Sequence, residues 1–174
     1  EPIEDDVLEM TFTEDFGDLR AGEVLRFPVA GNEDSRAYLP VLPRAGRVVA
    51  VDAHGRPALI VHETGVGRTV LATYPLEHMA ARTARVNPDV THRLYAALAQ
   101  VAGVRRPVTV ADPHVSADVL VHADGRRFVW LVSQSPDPLV VRPAAEGKLH
   151  DLADGHPVED VALDAYGVVV LELR

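Results

Sequence analysis

Apolar and polar residues alternate in the middle of the chain in a pattern that predicts a β-hairpin. Two runs rich in β-branched residues, Pro57 to His62 and Thr69 to Tyr74, are separated by the short polar segment Glu63 to Arg68. That segment contains Gly65 and Gly67, and glycine adopts the positive φ angles that tight hairpin turns require. The two runs are therefore expected to pair as neighbouring antiparallel strands.

The segment from Asn87 to Gly103 instead has the period of an amphipathic helix. Asn87 or Asp89 can cap its start, Pro88 suits its first turn, and Gly103 is a stop signal. The stretch between Tyr74 and Asn87 favours either a short helix or an irregular segment. The apolar positions of the predicted helix fall on one face, at Leu94, Leu98, Val101 and Ala102.

The residues before the hairpin predict strands and turns. A turn signal at Asp52 to Gly55 leads directly into the Pro57 strand, so the strand before it extends the hairpin into a meander. Three strands are predicted in this region, at Val7 to Phe12, Val24 to Val29 and Gly46 to Val51.

Beyond Pro107 short apolar runs alternate with turn signals, and no helix period is present. Asp112-Pro113, Asp124-Gly125 and Asp154-Gly155 are among the turn signals. This spacing is typical of a small antiparallel sandwich. Six strands are predicted, at Val108 to Ala111, Ala117 to His122, Arg127 to Ser133, Leu139 to Arg142, Val158 to Leu163 and Val168 to Leu173.

These elements predict an α+β fold class. A mainly antiparallel or mixed β-sheet with one long helix precedes a small all-β sandwich. We expect a domain boundary at Arg105-Arg106-Pro107, which gives a β-rich domain at 1–105 with a C-terminal helix and a sandwich domain at 106–174.

Composition and charge limit the class of partner. The chain has 174 residues, 47% of them hydrophobic, and a formal charge of −9 that argues against nucleic acid or an anionic membrane as partner. No apolar run reaches the roughly 20 residues that span a bilayer. The absence of cysteine excludes disulfides and thiolate zinc sites, and we expect no cofactor. A soluble chain is predicted, without an assignment to cytoplasm or exterior, and its start at Glu1-Pro2 suggests an excised piece of a longer protein.

Candidate catalytic residues are few. Glycosidic cleavage uses two carboxyl groups roughly 5 to 10 Å apart, and Glu63 and Glu77 are the best candidates because they follow predicted strands. A hairpin turn for Glu63 and a helix start for Glu77 explain these acids better than catalysis does. Ser133 and Ser135 follow an apolar strand but lack the glycines of a nucleophile elbow. We therefore assign no catalytic residue.

The motifs for phosphate and metal sites are also incomplete. Gly65 to Arg68 lacks the spacing of a phosphate loop and is followed by a strand, which favours a hairpin turn. The pairs Asp112 with His114 and His150 with Asp151 offer only two potential ligands each. Solvated turn residues are the simpler interpretation, and no metal site is predicted.

Sugar binding by aromatic stacking has two candidates, Trp130 and Tyr166. Trp130 is flanked by Val129 and Leu131 and shares a strand face with Phe128, which favours a place in the core over an exposed platform. A carbohydrate-binding module in the tail is therefore the alternative interpretation.

Several strings carry a family resemblance. The hairpin GRPALIV, the strand and turn VGRTVLATYPLE, the helix NPDVTHRLYAALAQVAGV and the β-only tail together resemble the C-terminal region of bacterial glycoside hydrolases. The resemblance covers Arg47 to Leu173. It is to the beta-galactosidase family that combines a catalytic barrel, a trimerisation domain of glutamine-amidotransferase-like fold and a small C-terminal β domain.

The resemblance implies an accessory role, because the family's catalytic acids lie on the barrel. It implies that residues 1–105 are only the end of an amidotransferase-like domain, since residues 1–50 lack the alternating strands and helices of a complete one. The expected partners are the catalytic barrel of the same parent protein or a homo-oligomer partner, with carbohydrate as a further candidate. This chain alone is not expected to be catalytic.

Overall fold

A computed structural model describes residues 1–29, 36–82 and 91–174. The chain forms two compact units, Glu1–Val104 and Arg105–Arg174. The proposed helix-capping residues Asn87, Pro88 and Asp89 lie outside the described residues.

The first unit contains a five-stranded antiparallel sheet with the order β2-β1-β3-β4-β5. The first strand coincides with its prediction, and the last two are longer at the hairpin end than their apolar runs indicate. Backbone pairing therefore continues through polar residues that hydrophobicity alone does not assign to a strand. The strands are β1 (Val7–Phe12), β2 (Val24–Pro28), β3 (Arg47–Val51), β4 (Pro57–Thr64) and β5 (Gly67–Ala72).

Two helices lie in the described part of this unit, whereas the predicted fold class names one. Helix α1 is Leu76–Arg82 and falls in the stretch for which a helix or an irregular segment was expected. Helix α2 is Thr91–Val101, and its Leu94 and Ala97 are buried. Neither helix, in the described ranges, combines the length and apolar character needed to cross a membrane.

The core of the first unit follows from the alternation of its strands. In β1, Leu8, Met10 and Phe12 are buried, while the residues between them are not. Strand β4 is buried from Ala58 to Val61 on both faces, as a continuous apolar run predicts. Ala58, Leu59 and Val61 belong to one core cluster with Leu94 and Ala97 of α2, so the helix packs against this core.

The second unit contains a five-stranded sheet, β12-β11-β14-β8-β7, and two two-stranded pairs, β10-β6 and β13-β9. Predicted strands at Arg127–Ser133 and Val168–Leu173 coincide with β8 and β14. The strands are β6 (Val108–Thr109), β7 (Val115–Val121), β8 (Arg127–Ser133), β9 (Leu139–Val141), β10 (Ala144–Ala145), β11 (Leu149–Asp151), β12 (Pro157–Val158), β13 (Val161–Leu163) and β14 (Val168–Leu173).

Two features of this unit differ from the sequence expectation. The single strand predicted at Val158 to Leu163 is divided, since β12 pairs with β11 and β13 pairs with β9. Strands β10 and β11 have no predicted counterpart, because Ala144–Ala145 and Leu149–Asp151 are too short to show an alternating pattern.

The core of the second unit includes residues from the five-stranded sheet and from both pairs. Val129 and Leu171 represent the sheet, Val108 the β6 strand, and Val141 and Val161 the β9 and β13 pair. All strand pairs of the described chain are antiparallel, which confirms the β-rich antiparallel class. The sandwich arrangement remains a prediction.

Candidate interaction surface

The two acids considered for glycosidic cleavage lie on different elements and bind different partners. Glu63 is exposed on β4, and its Oε1 accepts a hydrogen bond from Arg68 Nη2 at 2.8 Å across the hairpin. Glu77 is exposed in the first turn of α1, where its Oε1 accepts a hydrogen bond from Tyr95 Oη at 3.4 Å. Each carboxylate has a structural partner, and the hydrogen bonds of neither join it to the other.

A buried carboxylate, Asp52, occupies the turn between β3 and β4 with 4% of its surface exposed. Its Oδ1 accepts hydrogen bonds from the backbone N–H groups of His54 at 2.9 Å and Arg56 at 2.8 Å. Its Oδ2 accepts hydrogen bonds from Arg56 Nε and from Tyr74 Oη, both at 2.5 Å. A carboxylate has about four acceptor sites, so protein groups occupy all of them and none is left for a substrate.

The electrostatics of this cluster stabilise the ionised carboxylate. Burial alone raises the pKa of Asp52, but hydrogen bonds from Tyr74 and from Arg56 outweigh it and lower the pKa below its ordinary value. Burial and the Asp52 charge raise the pKa of the Tyr74 hydroxyl. The Arg56 guanidinium lies 4.2 Å from the centre of the Tyr38 ring, which stacks on Tyr74 at 5.6 Å. The cluster connects a turn, a strand end and an aromatic pair, which is a structural role.

The hairpin turn between β4 and β5 is built on Gly65. Thr64 pairs with Gly67, which leaves Gly65 and Val66 as the two central turn residues. Gly65 has a φ of 59°, and a positive φ at the first central position only is the type II′ pattern. A strand follows this turn where a phosphate loop requires a helix N-terminus, as the sequence indicates.

The histidine pairs also remain local. His114 Nδ1 lies 3.0 Å from Asp112 Oδ1, and His150 Nδ1 lies 2.9 Å from the carbonyl oxygen of Gly155. Across the part of the chain that the structure describes, no group of three or more metal-ligating side chains is found.

Ser133 and Ser135 lie at the end of β8, and Ser135 is hydrogen-bonded to the turn before β14. The buried Ser133 Oγ accepts a hydrogen bond from the N–H of Ser135 at 3.2 Å, and Ser135 Oγ accepts one from the N–H of Asp137 at 3.1 Å. The carbonyl oxygen of Ser135 accepts a hydrogen bond from the N–H of Tyr166 at 3.0 Å. These bonds give both serines roles in a turn, consistent with the interpretation from sequence.

Trp130 lies on the outer face of the second sheet, so the expectation that it belongs to the core is wrong. Its side chain is 43% exposed, whereas the flanking Val129 and Leu131 are fully buried. Successive residues of a strand point to opposite faces, so burial of the flanking pair turns Trp130 outward. Phe128 does share its face, as expected, and is only half-buried.

The strand register surrounds Trp130 with further apolar residues. Trp130 lies opposite Val170 on β14 and Asp118 on β7, and Phe128 lies opposite Leu120. Leu120 and Val168 are 54% and 52% exposed. We call this apolar surface the Trp130 face, and it consists of Leu120, Phe128, Trp130, Val132, Val168 and Val170.

Charged residues border the Trp130 face. The Arg126 guanidinium lies 5.4 Å from the centre of the Phe128 ring and forms a 2.8 Å ion pair with Asp124. A hydrogen bond from the backbone N–H of Arg126, together with one from His122, lowers the pKa of Asp124. Asp118 is exposed and forms no ion pair with another described residue. The edge of the face is therefore polar while its centre is apolar.

Tyr166, the second aromatic candidate, lies in the turn that leads into β14 and is 58% exposed. Its φ of 53° is in the left-handed region, which a residue with a side chain seldom adopts. The following Gly167 approaches the Asp164 backbone so closely that an added Cβ would lie 2.9 Å from a carbonyl oxygen. The turn is thus tightly constrained, and it presents the tyrosine ring to solvent.

Comparison with known proteins gives matches only among solved structures. No protein-family model matches the chain, and no curated protein matches its sequence. A beta-galactosidase from Bacillus circulans sp. alkalophilus is similar over 99% of this chain and 23% of its own, with 17% identity and a TM-score of 0.60. A catalytic-mutant structure of Gan42B, a GH42 beta-galactosidase from G. stearothermophilus, is similar over 100% of this chain and 22% of its own, with 18% identity and a TM-score of 0.61.

A beta-galactosidase from Rahnella sp. R3 is also similar, with 16% identity, a TM-score of 0.59, and coverage of 99% of this chain and 22% of its own. The chain thus spans less than a quarter of the length of these enzymes, and at such identities the similarity concerns the fold. Over its whole described length the chain has the fold of a region of GH42-type beta-galactosidases, which confirms at the level of fold the resemblance carried by its sequence.

Proposed function

We propose that this chain is a non-catalytic accessory and assembly region of a glycoside hydrolase. The observation that carries the proposal is the coverage of the structural matches, which extend over 99–100% of this chain but only 22–23% of each beta-galactosidase. A segment of that share corresponds to a supporting part of such an enzyme, and its partner is the catalytic barrel of the same parent or another copy of it.

The acids of the described structure support a non-catalytic role. A retaining glycosidase holds two carboxyl groups about 5 to 5.5 Å apart, and an inverting one holds them about 6.5 to 9.5 Å apart around a water molecule. Glu63 is paired with Arg68 in the hairpin, and Glu77 is paired with Tyr95 on the helices. Asp52 is buried, but its acceptor sites are occupied. None of these three carboxylates has the paired, accessible geometry that the reaction needs.

Hydrolysis of an aryl β-galactoside tests the proposal directly. The purified 174-residue chain is expected to show no turnover above the buffer rate, while the polypeptide of the complete reading frame hydrolyses the substrate. Glu63→Gln and Glu77→Gln in that longer polypeptide are expected to leave kcat/KM within about twofold, because only the loss of a group that stabilises the transition state lowers kcat/KM strongly. Turnover by the 174-residue chain that either substitution abolishes would show that the proposal is wrong.

The alternative function is a carbohydrate-binding module in the second unit. It is favoured by one observation, the 43% exposure of Trp130, because an exposed indole can stack on a sugar ring. Trp130 is the only tryptophan, so intrinsic fluorescence reports on it alone. A saturable change in emission with galacto-oligosaccharides, lost in Trp130→Ala and weakened in Tyr166→Ala, would establish this alternative. The accessory role predicts an emission spectrum that the oligosaccharides leave unchanged.

A further inference from the structure

We propose that the Trp130 face is the surface by which the second unit, Arg105–Arg174, docks onto the catalytic segment of the same polypeptide. This inference rests on the proposed function and adds to it the place of contact. It assigns a role to the one outward sheet face of the described second unit that combines an exposed indole with exposed aliphatic side chains.

The chemistry of the face favours a protein occupant over a sugar. Stacking sites for sugars place hydrogen-bonding side chains beside an aromatic ring, because each buried hydroxyl without a partner weakens binding. Around Trp130 the neighbours on its own strand are Phe128 and Val132, and on β14 the opposite residue is Val170. Only Asp118 on β7 offers a polar group directly opposite the indole. Two more polar residues lie on the same face, Ser116 opposite Val132 and Glu172 opposite Phe128. Each already accepts a hydrogen bond from the protein, from Gln134 Nε2 at 3.3 Å and from Arg174 Nε at 2.8 Å. Few polar groups are left for sugar hydroxyls, which suits the apolar centre of a protein contact.

The size of the face favours an occupant on the same chain. Three strands, β7, β8 and β14, carry it, and with a spacing of about 4.8 Å and about 3.4 Å per residue they present roughly 14 Å by 24 Å, or about 340 Å². A stable complex of independent proteins buries about 800 Å² on each partner. A tethered segment needs much less, because the linker supplies a high effective concentration. A contact of this size is therefore adequate within one polypeptide and smaller than a stable complex with a separate protein needs.

Charge disfavours a second copy of the chain as occupant. A two-fold contact brings the same patch of both copies together. Such a contact would bring the exposed Asp118 carboxylates of both copies into one small interface. Each copy also carries a net charge of −9. Like charges at a desolvated contact oppose association. A different surface with basic groups opposite Asp118 avoids this cost.

Cysteine labelling provides the test, because the chain has no cysteine of its own. Leu120→Cys and Val168→Cys place thiols on the face at positions that are 54% and 52% exposed. Leu152→Cys is the matched control, since Leu152 is 51% exposed in a turn of the same unit outside the face. Maleimide labelling of each site, followed by peptide mass spectrometry, is compared between the 174-residue chain and the polypeptide of the complete reading frame. Circular dichroism verifies that each variant is folded.

The proposal predicts labelling at Leu120→Cys and Val168→Cys that is at least about tenfold slower in the longer polypeptide, with the control unchanged, as expected for a site closed by docking. Equal rates in a longer polypeptide that hydrolyses galactosides overturn this inference and leave the proposed function intact. If labelling of the 174-residue chain is already slow and slows further as the protein concentration rises, the occupant is a second copy of the chain instead. If labelling slows only when galacto-oligosaccharide is added, the face is a sugar-binding site instead. A reading frame without a catalytic segment rejects the proposed function and the inference together.

Discussion

The hydroxyl of Tyr74 donates a 2.5 Å hydrogen bond to Oδ2 of Asp52, which joins the turn after β3 to the segment that follows β5. Both residues are buried, and they are separated by 22 positions in the sequence. Arg56 completes the contact from the same turn. The cluster thus fastens the end of the meander in the first unit, and removing the carboxylate should destabilise that unit without affecting the second core.

Replacement of Asp52 separates its two structural contributions. Asp52→Ala removes the acceptor for His54, Arg56 and Tyr74 together, and a loss of about 3 kcal/mol in unfolding free energy is expected. Asp52→Asn retains an oxygen for the backbone of the turn but removes the charge, so its loss should be smaller. Urea denaturation monitored by circular dichroism measures both. The exposed Asp118→Asn is the control, and a similar loss in that variant would contradict the role assigned to Asp52.

The stability of the first unit should also depend on pH through Asp52. Its pKa is lowered in the folded state, so the folded protein binds fewer protons than the unfolded chain near the ordinary aspartate pKa. The stabilisation is therefore present above about pH 4 and is lost as the pH falls through the lowered folded pKa. The difference in unfolding free energy between the unsubstituted chain and Asp52→Asn should shrink as the pH falls from about 5 to about 2. A difference that stays constant over this range would show that ionisation of Asp52 does not matter.

Gly17 tests the packing of α2 in the first unit. It has a φ of 62°, and an added Cβ would lie 2.9 Å from the Cα of Ala97. Gly17→Ala is expected to cost about 2 to 4 kcal/mol, because backbone strain and a clash with helix backbone add together. Gly55→Ala is the matched control, with a φ of 76° and no atom within 4 Å of the added Cβ. Strain alone then costs about 1 kcal/mol, and thermal unfolding of both variants gives the comparison.

The two faces of β8 should respond differently to truncation. Leu131 is fully buried, so Leu131→Ala is expected to cost about 2 to 5 kcal/mol through lost contacts and a cavity. Trp130→Ala removes a larger side chain from the outer face and should cost only about 1 kcal/mol, the scale of a cross-strand contact. Far-ultraviolet circular dichroism during thermal unfolding measures both without relying on the tryptophan signal. A larger loss of unfolding free energy in Trp130→Ala than in Leu131→Ala would show that the indole belongs to the core.

Local pattern predicted the elements with strong periodicity. The alternation of Leu8, Met10 and Phe12 predicts β1, and the glycine-bearing turn between two β-branched runs predicts the β4-β5 hairpin. Strand β11 could not be predicted in this way. Residues Leu149–Asp151 form a strand because their backbone pairs with β14, and a three-residue segment carries no period of its own.

The sequence by itself therefore determined where most strands lie, the hairpin turn and the antiparallel β-rich class, because those depend on the alternation of side chains along a strand. Only the tertiary structure decided which face of β8 is covered. Both faces of β8 are apolar, with Phe128 and Trp130 on one and Val129 and Leu131 on the other. Alternation along the strand therefore separates the two faces but does not show which of them is buried. The surrounding strands close over Val129 and Leu131, and this choice exposes Trp130 and creates the face proposed here for docking.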